Sequence, residues 1–144
     1  IGLDLVLISR VKASYDKSPV LFVKRFLSDD EAAYCLDVAR PCRRFERFAG
    51  RIAAKEAVMK VLGKGWPHVP WTDIEIVHDE SKRPLVRLKG KALAIMGQHN
   101  LEYIQVSITH DGQMAAAVAI GIPRTFGPRD LTQGMGRAFD LRTK

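Results

Sequence analysis

The sequence lacks the features that mark several whole classes of protein. It contains only two cysteines, Cys35 and Cys42, which are too few for a disulfide framework and belong to no paired Cys/His metal-binding spacing. No apolar run approaches the roughly 18 to 20 residues that a membrane-spanning helix needs. The apolar first residues carry neither a basic leader nor a small-residue cleavage site, so we expect a cytoplasmic protein with no membrane association.

Length and charge limit the remaining possibilities. The 144 residues, of which 47% are hydrophobic and 27% charged, fit one soluble globular domain. We expect this domain to span residues 1–123, because residues 124–144 are glycine-rich and basic without periodicity and predict a flexible tail. The net charge of +7 implies an acidic partner, and charge alone does not choose among nucleic acid, a phosphorylated cofactor and an acidic protein.

Hydrophobic patterning predicts an α+β fold in which an antiparallel sheet packs on one long helix. The helix is predicted over residues 43–62, which are rich in alanine and end at Gly63. Its large apolar side chains recur at spacings of three, four and seven, so they form one stripe that we expect to face the sheet. The stripe consists of Phe45, Phe48, Ile52 and Met59.

The other elements are shorter. Ser28 followed three residues later by Glu31 predicts a capping box at the start of a short helix, whereas the polar chain before it, around Pro19, is assigned no element. Asp111-Gly112 predicts a hairpin turn. The remaining predicted elements are a buried first strand over residues 1–8, sheet strands near 73–77, 85–88, 102–109 and 113–121, and a helix within 91–100.

Two carboxylates stand where these patterns ask for apolar residues. Asp4 lies in the first strand on the face shared with Gly2 and Val6. Glu56 lies on the apolar stripe of the long helix, four residues after Ile52. A lone buried carboxylate is among the most costly groups in a fold, so both acids need a partner.

Three kinds of partner are chemically possible. Two buried acids can share a proton, pair with basic residues, or bind a cation. Oxygen ligands without His or Cys favour Mg²⁺, which takes one or two carboxylates and completes its shell with water and substrate phosphate. The alternative is purely structural: Asp4 pairs with an arginine or caps a turn, and Glu56 pairs with Lys60 one turn away.

Further polar residues are candidates for the same site. Arg51 and Lys55 lie one turn apart on the long helix, as do Glu56 and Lys60, although a solvated charged face would look the same. In the segment VSITH, Ser107 is expected to face away from Val106 and Ile108, and His110 ends the strand.

Three segments together resemble the holo-acyl-carrier-protein synthase type of 4′-phosphopantetheinyl transferase. The opening GLDLVLISR is similar to that family's Gly-x-Asp start. FAGRIAAKEAVMKVLGKG is similar to its signature helix, and VSITHDGQMAAAVAI to its closing hairpin. The sequence departs from the pattern in several places: Ile52 stands where the family usually has an aromatic residue, SKRP replaces a Gly-x-Pro turn, and the tail after Pro123 has no counterpart in the family.

The resemblance implies transfer of phosphopantetheine from coenzyme A to a serine of an acyl carrier protein by a homotrimer with sites between protomers. It implies Mg²⁺ held by Asp4 and Glu56, and catalytic roles for Glu56 and Lys60. Glu56 is the expected base, with Lys60 or the metal alone as alternatives. The implied coenzyme-binding residues are Arg51, Lys60, Ser107 and His110, and those facing the carrier protein are Arg10 and Arg25.

Two other classes of function compete with this interpretation. The positive charge and the arginines of the tail are compatible with a nucleic-acid-binding module. That class leaves Asp4 and Glu56 unexplained, and the sequence has no aromatic stacking array, so we expect no nucleic-acid partner. A coenzyme A-binding protein without catalytic activity is the third possibility.

Overall fold

The computed structural model describes residues 1–125, and its architecture confirms the predicted α+β class. The elements in chain order are β1 (Gly2–Leu7), α1 (Ile8–Lys17), α2 (Pro19–Phe26), α3 (Asp29–Leu36), α4 (Pro41–Leu62), β2 (Ile74–His78), β3 (Pro84–Leu88), α5 (Gly90–Gln98), β4 (Leu101–Asp111) and β5 (Met114–Pro123). Within these residues, no helix is long and apolar enough to cross a membrane. Nearly all of the predicted tail lies outside the described residues.

The strands form two sheets instead of the single predicted one. Among residues 1–125, β1, β5 and β4 make an antiparallel sheet in that order, while β2 and β3 pair only with each other. The hairpin of β4 and β5 forms around Asp111-Gly112 as predicted. The predicted four-strand sheet was wrong because alternation shows which face of a strand is buried, but not which strand lies beside it.

The long helix α4 lies on the β1-β5-β4 sheet through its smallest residues. A Cβ atom on Gly2 would lie 2.0 Å from the carbonyl oxygen of Ala57, and one on Gly50 would lie 3.1 Å from Ile108. Ala53, Ala54 and Ala57 are fully buried. Small side chains therefore allow the backbones of helix and strand to approach closely, and they bring β1 against the middle of α4.

The aromatic stripe of α4 packs mainly on helices, which corrects the prediction that it faces the sheet. The ring centroid of Phe48 lies 5.3 Å from that of Tyr15 and 5.2 Å from that of Phe22. Phe45 contacts Tyr15 edge-on. These residues form a second apolar cluster with α1, α2 and α3, whereas Met59 belongs to the main core. The sheet instead contacts the face of α4 that carries glycine and alanine.

Helices α1 and α2 occupy the stretch around Pro19 that the sequence left without an element. Pro19 is the first residue of α2, a position where its missing N–H costs nothing. The proline therefore starts a helix there. By contrast, the capping box of α3 is present as predicted, since the Glu31 backbone N–H donates to Ser28 Oγ and the Ser28 N–H donates to the Glu31 carboxylate.

A buried ion pair joins the helices to the β2-β3 hairpin. Lys55 Nζ lies 2.6 Å from Glu31 Oε2, and both side chains are 0% exposed. The ammonium also donates to the carbonyl oxygens of Phe26 at 2.7 Å and Trp71 at 3.1 Å. Glu31 Oε1 accepts from the Ile76 backbone N–H. Burial lowers the pKa of Lys55, and the Glu31 charge opposes that shift.

We predict that Lys55→Met destabilises the protein by about 3 to 5 kcal/mol, because it leaves the Glu31 carboxylate buried without a countercharge. The double variant Glu31→Gln/Lys55→Met should recover part of this loss. Urea unfolding at fixed protein concentration measures both effects, with the exposed Lys64→Met as control. A Lys55→Met variant as stable as the control would show that the pair contributes little.

Candidate active site

Asp4 and Glu56 lie in one cleft between β1 and α4. The cleft has a volume of about 400 Å³ and is also lined by Arg10, Phe26 and Trp71. The pKa of Glu56 is raised, first by burial and second by the Asp4 charge, while Lys60 opposes the shift. The two acids that the sequence marked as misplaced therefore interact electrostatically in the folded chain.

Lys60 pairs with Asp4. Its Nζ lies 3.0 Å from Asp4 Oδ1 and also donates to the carbonyl oxygen of Leu3. The Lys60 side chain is 51% exposed and that of Asp4 19%, so water screens much of this attraction. The structural alternative predicted from the sequence is an ion pair between Asp4 and an arginine. The structure has such a pair with Lys60 instead, and the pKa of the neighbouring Glu56 is still raised.

The Asp4 and Glu56 pair fits a hard divalent cation. Within residues 1–125, no group of three or more His, Cys, Asp or Glu side chains is placed to hold a metal, so no all-protein cage exists there. Mg²⁺ does not need one, since it commonly takes two carboxylates and fills its other positions with water and phosphate oxygens. The pKa of Glu56 is raised first by its burial and second by the Asp4 charge, so a cation bound between the two acids would favour their ionised forms.

Arg51 and His110 meet in a second, cationic cleft of about 250 Å³, together with Tyr34 and Arg47. Arg51 is only 4% exposed, and its Nε is buried with no hydrogen-bond partner. Since Arg51 also lines this cleft, the part of its guanidinium that faces the cleft is suited to an anion such as phosphate. Lys55, which the sequence spacing groups with Arg51 on the long helix, pairs with Glu31 in the core and does not reach either cleft.

The remaining predicted site residues are not brought together within one chain. Ser107 lies on β4 and is exposed; it pairs with Val118 on the sheet face opposite α4, whereas His110 pairs with the buried Ala115. Arg10 lines the cleft of the two acids. Arg25 is exposed and stacks on the rings of Phe26 and Trp66.

Sequence reasoning missed several residues that shape these clefts. Tyr34 stacks on Arg47 and Arg51, and His78 contacts Arg51 from β2. The spacing of Arg43, Arg47 and Arg51 by four residues was the available signal for a cationic helix face. No comparable signal marked Tyr34 or His78, because they come from elements distant in sequence.

Comparison with known proteins identifies the class to which this arrangement belongs. Residues 1–119 match the family model of the 4′-phosphopantetheinyl transferase superfamily. A holo-[acyl-carrier-protein] synthase of Gloeobacter violaceus is 40% identical over 117 residues, which cover 81% of this chain and 87% of the relative. The chain therefore belongs to the 4′-phosphopantetheinyl transferase superfamily, among the holo-[acyl-carrier-protein] synthases, and it is an enzyme.

Solved structures agree with this assignment. The Helicobacter pylori holo-[acyl-carrier-protein] synthase in complex with coenzyme A superposes with a TM-score of 0.72 at 30% identity, covering 83% of this chain and 97% of that one. The Bacillus anthracis enzyme in complex with CoA (3′,5′-ADP) gives 0.67 at 28% identity, covering 84% and 94%. The resemblance inferred from three sequence segments is confirmed.

Proposed function

We propose that this transferase moves the 4′-phosphopantetheine group of coenzyme A onto a serine of an apo acyl carrier protein and releases adenosine 3′,5′-bisphosphate. The observation that carries the proposal is the convergence of Asp4 and Glu56 in one cleft, in a chain whose relatives are named for this reaction. The coenzyme bound to the Helicobacter pylori relative supports coenzyme A as the substrate.

The proposed reaction is a substitution at phosphorus. The serine Oγ attacks the β-phosphorus, the bond from that phosphorus to the oxygen bridging the α-phosphate breaks, and adenosine 3′,5′-bisphosphate leaves. Glu56 takes the serine proton directly or through a water that it orients, and its raised pKa suits a base near neutral pH. Lys60 lies beside Asp4, where its charge would stabilise the leaving phosphate.

Asp4 and Glu56 are the residues that would hold Mg²⁺. When bound, this ion would neutralise charge on the pyrophosphate oxygens. Arg51 and His110, which share the cationic cleft, would bind a further phosphate of the coenzyme. Residues 51 and 56 are separated by about 7.5 Å along the axis of a helix, so one helix can contact two phosphate groups of one extended ligand.

The carrier protein is expected to dock on α1 and α2. Arg10 and Arg25 lie exposed on these two helices, with Lys12 and Lys24 nearby in sequence. Acidic helices of the partner would meet this basic surface, and Arg10 also lines the cleft of the two acids. Docking there would bring the carrier serine toward Glu56.

Assembly into a homotrimer is proposed because the sheet face opposite α4 is apolar and open. Leu3, Leu5 and Ile120 on that face are exposed, and the same face carries Ser107. Covering it with other copies of the chain would bury the apolar residues. Ser107 would then lie at an interface, where it can act on a site shared between protomers.

We predict that Asp4→Asn and Glu56→Gln abolish transfer and leave the fold intact. Intact-mass measurement of an apo carrier incubated with coenzyme A and Mg²⁺ should show one added phosphopantetheine with the native enzyme only, and none when EDTA is present. Glu80→Gln, an exposed carboxylate between β2 and β3, is the matched control and should keep full turnover.

The melting temperature distinguishes a metal site from a structural ion pair. Glu56 has a pKa raised above its ordinary value of 4.5 in the folded chain, so ionised Glu56 reduces stability as pH rises above that ordinary value. Glu56→Gln should therefore melt higher than the native protein near neutral pH without metal, and no higher near pH 4. A destabilised variant with normal turnover per folded molecule would contradict the metal site.

We predict that Arg25→Glu raises the KM for the carrier protein much more than the KM for coenzyme A. It should also flatten the salt dependence of the carrier KM, because steering charges act mainly on association. Initial rates at several ionic strengths measure both, with Lys91→Glu on α5 as the charge-reversal control. Equal changes in both KM values would make Arg25 a structural residue that supports Phe26 and Trp66.

Light scattering should give a mass of three times the chain mass of 16.1 kDa. Leu5→Glu, on the open sheet face, should shift the protein toward monomers because it places a charge in the interface. Val20→Glu is the matched control, since Val20 is an exposed apolar residue on α2. A native protein that is monomeric at micromolar concentration would contradict the trimer.

A further inference from the structure

The Tyr34 ring is the centre of a cluster that joins three elements. The guanidinium carbons of Arg47 and Arg51, both on α4, lie 4.1 and 4.4 Å from the ring centroid. The His78 imidazole, at the end of β2, lies 4.7 Å from it. Two cations and an imidazole therefore surround one phenol ring at the wall of the cationic cleft.

His78 also contacts Arg51 directly. Arg51 Nη2 lies 3.3 Å from His78 Nε2 and 3.4 Å from Nδ1. Because Nη2 is almost equally far from both ring nitrogens, the guanidinium lies over the face of the imidazole ring and not on the lone pair of one nitrogen. The contact favours the neutral form of His78, because a protonated imidazole would turn it into a repulsion between two cations.

The surroundings of His78 favour the neutral form. Burial lowers its pKa most, followed by the charges of Arg51 and Arg47, and Asp79 in the following turn opposes the shift. Tyr34 faces it from α3. The other charged or titratable residues of the cationic cleft are Arg43, Glu46 and His110.

We propose that His78 is a positioning residue that holds the Arg51 guanidinium against Tyr34, oriented for the phosphate of the coenzyme. The inference rests on the proposed function in one respect only, namely that Arg51 contacts the coenzyme. His78 itself need not touch any substrate. Its neutral imidazole supplies a fixed uncharged face on one side of Arg51, and the part of the guanidinium that lines the cationic cleft stays available for the anion.

The pH dependence follows from the protonation state. Above the folded-state pKa of His78, which lies below the ordinary value of 6.5, Arg51 is held in place. As pH falls through that pKa, the imidazole gains a proton and a charge, and its contact with Arg51 becomes a repulsion between two cations. The affinity for coenzyme A should then fall, while the chemical step is affected little.

Steady-state kinetics of His78 variants test the positioning role. His78→Asn keeps a planar polar side chain that does not titrate, and should hold the KM for coenzyme A within about twofold of native at neutral pH. His78→Leu replaces the planar ring by an aliphatic side chain and should raise that KM about three- to tenfold, the scale of one typical net polar interaction, with kcat little changed. His68→Asn, an exposed loop histidine, is the control.

The comparison across pH gives the decisive readout. The KM of the native enzyme and of His68→Asn should rise toward pH 5 more steeply than the KM of His78→Asn. Titration of the coenzyme's own phosphate is common to all three proteins and cancels. A His78→Asn variant with the native pH profile, or a His78→Leu variant with a native KM, would overturn the proposal.

NMR titration of the His78 ring protons provides a test that needs no turnover. The pKa of His78 should be below 6.5 in the native protein and should rise in Arg51→Gln, because a neighbouring cation has been removed. An unchanged pKa would overturn the positioning role. If the pKa of His78 rises in Arg51→Gln but the native protein transfers no phosphopantetheine, the proposed function is contradicted and the contact between His78 and Arg51 is still established.

Discussion

The buried ion pair between Lys55 and Glu31 is the interaction on which the rest of the structure depends. One ammonium binds a carboxylate on α3, the carbonyl oxygen of Phe26 at the end of α2 and that of Trp71 before β2. Glu31 in turn binds the Ile76 backbone on β2. Neither charge can be buried alone without a penalty of several kcal/mol, so these segments have to close on one another together.

This closure also builds the candidate active site. Phe26 and Trp71, whose carbonyl groups bind Lys55, place their rings 5.0 Å apart and line the cleft that contains Asp4 and Glu56. The adjacent residues Lys55 and Glu56 thus differ in their energetic roles. Lys55 has its countercharge inside the protein, whereas the pKa of Glu56 is raised by burial and by the nearby Asp4 charge.

The arrangement separates the polar groups onto different surfaces of one helix and one sheet. Helix α4 presents Glu56 to one cleft and Arg51 to another, while Ser107 lies on the far face of the sheet. A single chain therefore holds the elements of the proposed site without uniting them. In the cationic cleft, Arg51 is contacted by Tyr34, which lies on α3, and by His78, which lies on β2.

The sequence predicted features that depend on neighbouring residues better than it predicted how the elements are arranged in space. The capping box of α3, the end of α4 at Gly63 and the turn between β4 and β5 were predicted, because each depends on residues close in the chain. Asp4 and Glu56 were recognised as exceptional because a carboxylate breaks an apolar pattern that is itself local. Family resemblance supplied the likeness to a transferase before any contact was known.

Only the tertiary structure decided which elements are neighbours. Periodicity shows that a strand or helix has a buried face, but the identity of the covering element depends on the packing of the whole chain. For that reason the pairing of β1 with β5, the contact of the glycine and alanine face of α4 with the sheet, and the meeting of His78 with Arg51 could not be predicted. Glu31 illustrates the difference: its local role as a helix cap was readable, whereas its burial with Lys55 requires two segments that only folding brings within hydrogen-bonding distance.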